Sequence, residues 1–222
     1  MLKLLNQAAE IYLLGDPEHR DAHLAGRALV KKAGALIEKG DTEQVISTLC
    51  EAEALVDPQR EPRLLYGLKH NLVDNLAKAG RYEEAEPLLP TLWDLVRAHG
   101  RQLDQVRVRW VEARIAAGLG ERERGRRGLF AVRQDFLRLG IVFDAALATL
   151  ELSALHLEDG NTVAVKDLAS EIVEVFAAQA VHREAFAALL VFQRAAERET
   201  ATASLVREVA AMLERARTTD LG

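Results

Sequence analysis

The stretch AKAGRYEEAEPLL, residues 77–89, ends an alanine-rich helical run at Gly80 and begins a second run a few residues later. The same arrangement recurs in EKGDTEQVI around Gly40, in GLGERERGR around Gly120 and in EDGNTVAVK around Gly160. Successive glycines are 40 residues apart each time. Self-similarity at a fixed period of this size is typical of repeat architectures. The sequence therefore predicts an array of 40-residue units, each with a turn at its glycine.

The helix that follows each glycine has one apolar face. Positions 5, 9, 12 and 16 after the glycine are apolar or glycine in every unit, which is the spacing of one helix face. They are Val45, Leu49, Ala52 and Val56; Ala85, Leu89, Leu92 and Val96; Gly125, Leu129, Val132 and Phe136; Val165, Ala169, Ile172 and Phe176; and, after Thr200, Leu205, Val209, Met212 and Ala216. The helix before each glycine is apolar on two sides, so we expect it to pack between neighbours. Each unit is predicted to be a buried helix, a left-handed glycine turn and a more exposed helix.

Composition limits the class of protein. The chain has 222 residues, of which 49% are hydrophobic and 28% charged, as in folded soluble domains. Helix-forming residues dominate and no segment alternates with a period of two, so we predict an all-α fold of about eleven helices. No apolar run approaches the length of a membrane span, so we expect no membrane partner. The single Cys50 excludes an internal disulfide and favours a cytoplasmic location, and the net charge of −5 argues against direct nucleic-acid binding.

The segment GRYEEAEPLL, residues 80–89, resembles the tetratricopeptide repeat (TPR) superfamily. Gly80, Tyr82, Glu84 and Ala85 stand where that family has its glycine–x–tyrosine–x–glutamate–alanine turn. The 40-residue period is longer than the usual repeat of about 34, and is similar to the long-period arrays of bacterial multidomain regulatory proteins. The resemblance implies a right-handed α-α superhelix of stacked antiparallel helix pairs, with residues 1–222 as a single array. Pro87 and Pro90 fall inside a predicted helix and should bend it.

The two ends of the array are expected to differ. A final helix over residues 201–217 caps the array by burying Leu205, Val209, Met212 and Leu213, while Arg207, Glu208, Glu214 and Arg217 stay in water. The first helix places Leu5, Ala9 and Tyr12 on its buried face, but it lacks the helix that would precede it in a complete unit. We therefore expect either a fragment of a longer protein or a homo-oligomer that forms through residues 1–35.

Residues that could carry chemistry are few. The sequence has no phosphate-binding loop, HExxH, GxSxG or CxxC motif, so we predict no enzyme activity, catalytic residue, cofactor or metal. His19 and His23 are spaced for one helix face but have no third ligand in the pattern, so we interpret them as exposed surface histidines. His70 lies on a mostly apolar face and is interpreted as a hydrogen-bonded packing residue.

The resemblance implies an inner groove lined by the first helix of each unit. Positions 2, 6, 9 and 13 before each turn lie on neither packing face, and their polar side chains are candidates for binding a partner segment. The candidate groove residues are Arg27, Lys31, Asn71, Asp74, Lys78, Arg107, Arg114, Glu151 and Arg194. The alternative is a wet concave surface with no ligand.

Arginine is concentrated in the middle of the chain. Residues 101–140 contain ten arginines and five acidic residues. The excess indicates either solvated helix faces or a site for an acidic or C-terminally carboxylated segment at Arg107 and Arg114, with help from Lys78 and Asn71. The first functional hypothesis is a protein–protein interaction scaffold. The others are the sensor or oligomerisation region of a larger bacterial regulator, whose effector or DNA-binding domain lies outside this chain, and an enzyme.

Overall fold

The computed structural model describes residues 1–178 and 183–219, and for His19 and residues 217–219 it describes the backbone alone. This part of the chain is all-helical, with no strand, which confirms the predicted fold class. Its eleven helices are α1 (Leu2–Leu14), α2 (Ala22–Ile37), α3 (Thr42–Glu53), α4 (Pro62–Lys78), α5 (Tyr82–Ala85, Glu86–Leu88 and Leu89–His99), α6 (Gln102–Gly118), α7 (Arg122–Arg138), α8 (Val142–Glu158), α9 (Thr162–Ala178), α10 (Arg183–Glu197) and α11 (Ala203–Thr219). None of these helices is long and apolar enough to cross a membrane.

The glycine turns are left-handed helix ends. Gly80 has a φ of +75°, and the Arg81 amide donates to the Leu76 carbonyl at 2.9 Å while the Gly80 amide donates to Ala77 at 3.1 Å. This pair of bonds closes the helix, and glycine adopts the required backbone without a Cβ clash. The glycines at 40, 120 and 160 also have positive φ. In the last repeat the left-handed residue is Glu199 and not Thr200. The turn expected there is confirmed, one residue earlier than predicted.

Helix α5 is interrupted near its start, as its prolines predict. The segment Glu86–Leu88, which contains Pro87, is a 3₁₀ turn, and Pro90 begins the regular helix that follows. The start of α5 lies against the end of α6, because a Cβ added to Gly118 would be 2.3 Å from the Tyr82 ring. Glycine at position 118 therefore lets the tyrosine ring rest on the α6 backbone.

The predicted buried faces are confirmed in the first four repeats. All sixteen positions counted from Gly40, Gly80, Gly120 and Gly160 are buried. In α11 the prediction is partly wrong, because Met212 is 45% exposed and Leu205 is half-buried, whereas Val206 and Leu213 are buried with Val209 and Ala216. The reason is that α11 packs against α8, the first helix of the preceding repeat, whereas α3, α5 and α9 each pack against the first helix of the following repeat, so the buried face of α11 is rotated. Arg207, Glu208 and Glu214 are exposed as predicted, and the Arg217 side chain lies outside the described residues.

The chain divides at the Gly120 turn into two compact units, Met1–Leu119 and Gly120–Gly222. In the first unit α4 packs against α3, α5 and α6, and in the second α8 packs against α7, α9 and α11. Each unit therefore has its own central helix, and both are helices that end at a repeat glycine. A single array over residues 1–222 stays a prediction.

Candidate functional site: the polar strip between α4 and α6

Charged and aromatic side chains line the contact between α4 and α6, and we call this set the α4–α6 strip. Its members are Arg63, Tyr66, His70, Asp74 and Lys78 on α4, and Asp104, Arg107, Trp110 and Arg114 on α6. On each helix these positions recur every three or four residues, which places them along one side. Both helices precede a repeat glycine, and they pack against each other within the first unit.

The C-terminal end of the strip is built around Asp74. Nη1 of Arg114 donates to Oδ1 of Asp74 at 2.6 Å, and Nζ of Lys78 lies 3.2 Å from Oδ2. The guanidinium of Arg114 also lies over the Trp110 ring, 5.2 Å from its centroid. Burial raises the pKa of Asp74, but the charges of Arg114 and Lys78 outweigh burial and hold that pKa well below its usual range. Asp74 is therefore ionised and held by two cations.

The other end of the strip is built around Asp104. Nη1 of Arg63 donates to Oδ2 of Asp104 at 2.7 Å and to the carbonyl of His99 at 3.0 Å. The same carboxylate oxygen accepts the Arg101 backbone N–H at 2.7 Å, where α6 begins. The guanidinium of Arg63 lies 5.2 Å from the centroid of the Tyr66 ring. Burial, with a smaller contribution from Asp104, raises the pKa of Tyr66 to about 12, so the phenol stays protonated at neutral pH.

His70 and Arg107 occupy the middle of the strip. Nε2 of His70 is buried without a hydrogen-bond partner among the described residues, so the prediction of a hydrogen-bonded packing residue is wrong for this atom. Burial is the main reason that the pKa of His70 is lowered; Asp74 opposes this effect, and Arg107 and Arg114 add to it. The ring is thus a neutral group between a carboxylate and two cations.

The structure brings together five of the nine candidate groove residues. Asn71, Asp74 and Lys78 on α4 lie with Arg107 and Arg114 on α6. Arg114 and Asp74 are only 15% and 20% exposed, so the expectation of a wet groove is wrong for this pair, because the two side chains neutralise each other against Trp110.

The other four candidates lie elsewhere. Arg27 and Lys31 are exposed on α2, where Nε of Arg27 is 3.4 Å from a carboxylate oxygen of Glu61. Glu151 is half-buried on α8 and Arg194 is exposed on α10, both in the second unit. The α4–α6 strip is therefore smaller than the groove that the sequence predicted.

Four members of the strip are not among the residues predicted from the sequence. Arg63 and Asp104 fall 17 and 16 residues before their glycines, one helical turn beyond the last position that the count included. Extending the count by one turn would have found both. Tyr66 and Trp110 fall on apolar faces that the sequence pattern assigns to packing, so the pattern does not single them out. Their contacts with Arg63 and Arg114 depend on how α4 and α6 meet.

His23 is buried, so its interpretation as a surface histidine is wrong. Its Nδ1 accepts the Asp57 backbone N–H at 3.2 Å, and its Nε2 lies 3.3 Å from Oε2 of Glu61. The segment between α3 and α4 covers the start of α2, which a pattern within one helix does not indicate. The side chain of His19 lies outside the described residues, and within them no three His, Cys, Asp or Glu side chains form a group that could hold a metal ion.

Tight helix pairs, and a polar strip between the first helices of two successive 40-residue repeats, define an all-helical protein of the repeat type. Among solved structures, the chain is similar to BtubC (BKLC) from P. vanneervenii, with a TM-score of 0.62 and 15% sequence identity over 100% of this chain and 91% of that chain. At this identity the similarity shows the fold alone. No family model and no curated protein matches the chain. Membership of the tetratricopeptide repeat superfamily stays a prediction.

Proposed function

We propose that this chain is a protein–protein interaction scaffold whose α4–α6 strip binds an acidic segment of another protein. The observation that supports this function best is the charge of the strip. Four cationic side chains, Arg63, Lys78, Arg107 and Arg114, stand against the carboxylates of Asp74 and Asp104, in a chain whose net charge is −5. A group of cationic side chains on a negative protein attracts acidic segments and orients them.

The contacts within the strip suggest which arginines bind the partner and which one stabilises the helix packing. Arg63 is held by Asp104 and by the His99 carbonyl, yet about half of its side chain is exposed, so it is both ordered and accessible. An arginine that is already ordered loses less conformational entropy when it binds a carboxylate through two parallel hydrogen bonds. Arg107 is half-buried at the centre of the strip. We assign carboxylate binding to Arg63 and Arg107, and we assign to Arg114 the role of bracing α6 against α4.

A second candidate function is the sensor or oligomerisation region of a larger bacterial regulator. The observation that favours it is the row of exposed apolar side chains on α1, which suits assembly with another protein surface. In both cases we propose a cytoplasmic location, since the exposed thiol of Cys50 is compatible with a reducing compartment.

The proposed function is tested with a defined acidic probe. Binding of a fluorescein-labelled hexaglutamate peptide, with a free or an amidated C-terminus, is measured by fluorescence anisotropy for the wild type and for Arg63→Glu/Arg107→Glu. We expect this double variant to bind about ten- to a hundredfold more weakly, because two charge-assisted contacts become repulsive. A stronger loss with the free C-terminus would assign the site to a terminal carboxylate.

The matched control is Arg97→Glu/Arg127→Glu, which makes the same change of charge at two exposed arginines on α5 and α7. It should weaken binding by no more than about threefold. Equal weakening by both double variants would mean that the probe responds to the net charge and that the strip is no specific site.

A further inference from the structure

Helix α1 carries a row of large apolar side chains that the first unit does not cover. Leu4 and Ile11 are 69% and 57% exposed, and Met1 and Leu14 at the two ends of the row are 75% and 78% exposed. The row lies on the side of α1 opposite Ala9, which is buried in the core of the first unit, and α1 packs against α2. Side chains of this size clustered on one helix face mark an interface.

We propose that a second copy of this chain covers the row, with the two α1 helices antiparallel across a two-fold axis. This inference is independent of the α4–α6 strip. It rests on two pairs of residues with the same spacing, since Leu4 and Ile11 are seven residues apart and Lys3 and Glu10 are also seven apart. Seven residues are two helical turns, so each pair lies along one line on the helix, and the two lines are adjacent.

One two-fold axis brings both pairs of residues into contact across the dimer. When it passes through the middle of α1, it brings Leu4 to the partner's Ile11 and Lys3 close to the partner's Glu10, and symmetry forms each contact twice. Within the described residues neither Lys3 nor Glu10 has an ion-pair partner of its own. In a parallel dimer the two-fold axis would run along the helices and place the Lys3–Glu10 lines of the two copies on opposite sides of the contact, so the charge pairs form only in the antiparallel arrangement.

The middle of the helix suits this packing. Gln7 and Ala8 lie near the axis, midway between Leu4 and Ile11. Ala8 packs partly against the core of the first unit, and its short side chain leaves room beside the axis. The amide of the exposed Gln7 both donates and accepts, so it suits a hydrogen bond with the partner's Gln7. The apolar contact consists of four large side chains from each copy, which is small for an interface. We therefore expect a weak, concentration-dependent dimer, with a Kd on the order of 10 µM.

The first test is sedimentation velocity on the full 222-residue chain, from about 1 µM to about 200 µM. The wild type should shift from monomer to dimer, and Leu4→Glu/Ile11→Glu should stay monomeric throughout. Phe130→Glu/Val163→Glu is the matched control, because these side chains are also large, apolar and more than half exposed but belong to the second unit. It should dimerise like the wild type, and circular dichroism confirms that both variants are folded.

The second test exchanges the charges. Lys3→Glu and Glu10→Lys should each raise the dimer Kd by about three- to tenfold, and the double exchange should return it close to the wild-type value. A variant that merely unfolds α1 would not be rescued in this way. A wild type that remains monomeric, a dimer that survives Leu4→Glu/Ile11→Glu, or a double exchange that fails to restore dimerisation would each overturn the proposal.

Discussion

The surroundings of each arginine decide what it does in this protein. Residues 101–140 contain twice as many arginines as acidic residues, yet acidic side chains outside that range neutralise several of them. Arg114 binds Asp74 from α4, and Arg126 binds Asp159 from the turn after α8. The arginine excess along the chain is therefore a poor guide to the charge of any one surface.

His70 should make stability depend on pH. Its folded-state pKa is below the usual 6.5 because the ring is buried, with Arg107 and Arg114 facing it from α6 and Tyr66, Asn71 and Asp74 beside it on α4. As the pH falls below 6.5, this histidine binds a proton in the unfolded chain before it does so in the folded protein. The free energy of unfolding is therefore highest above pH 6.5, and it falls as the pH decreases toward the lower folded-state pKa of His70.

Urea unfolding at pH 7.5 and 5.0 checks this prediction, with His70→Gln as the variant that cannot titrate. We expect the wild type to lose more stability than His70→Gln between the two pH values. An equal loss in both proteins would show that His70 is not the group responsible.

Asp74 should contribute measurably to stability. Asp74→Asn removes the charge that neutralises Arg114 in a mostly buried pair, and we expect a loss of about 1–3 kcal/mol at pH 7. The control Asp94→Asn removes an exposed carboxylate paired with Arg97, and it should cost less than about 0.5 kcal/mol. The effect of Asp74→Asn should shrink as the pH falls below 3.8 and disappear only below the much lower folded-state pKa, where the wild-type carboxyl is also uncharged. Urea unfolding followed by circular dichroism measures both variants.

Helix boundaries in this chain follow local backbone chemistry. Glycines in the left-handed conformation end α2, α4, α6, α7 and α8, and the 3₁₀ turn at Glu86–Leu88 coincides with Pro87. These effects act within a few residues along the chain, so the sequence alone predicts them. The 40-residue period of the repeat is likewise visible in the sequence alone.

Two alanine substitutions around α4 should have opposite effects on stability. Gly80→Ala places a Cβ on a residue with φ of +75°, and we expect a loss of about 1 kcal/mol. Gly67→Ala lies inside α4, where an added Cβ meets nothing within 4 Å, and should stabilise the protein by about 0.5–1 kcal/mol. Thermal unfolding of the two variants gives the comparison, and a shift in the same direction for both would contradict the assigned turn.

Contacts between helices that are distant in sequence complete the molecule. In the second unit the guanidinium of Arg133 is fully buried, where its Nε donates to Oγ1 of Thr149 on α8 at 3.0 Å and its Nη2 donates to Glu171 on α9. One side chain on α7 thus joins three helices. Its long aliphatic part also fills space in the core.

Truncation of Arg133 should therefore destabilise the second unit strongly. We expect Arg133→Ala to cost about 2–4 kcal/mol, because it leaves a cavity and removes both contacts. Arg133→Met should cost clearly less, since it keeps the volume and removes the buried charge. Arg127→Ala, at an exposed arginine of the same helix, should change stability by less than about 0.5 kcal/mol in the same urea titration.

Features that depend on neighbours along the chain could be predicted from the amino-acid sequence. Gly40, Gly80, Gly120 and Gly160 predicted the turns because a left-handed residue favours glycine, and the apolar spacing predicted the buried faces because a helix repeats every 3.6 residues. The same counting located part of the candidate site at Asp74, Arg107 and Arg114.

The identity of the side chains that contact each other depends on the tertiary fold. It buried His23, exposed Met212 while burying Val206, and paired Arg114 with Asp74 forty residues away. The physical reason is that burial and ion pairing depend on the helix that packs against a residue, and a periodic pattern within one helix indicates a face but not its neighbour.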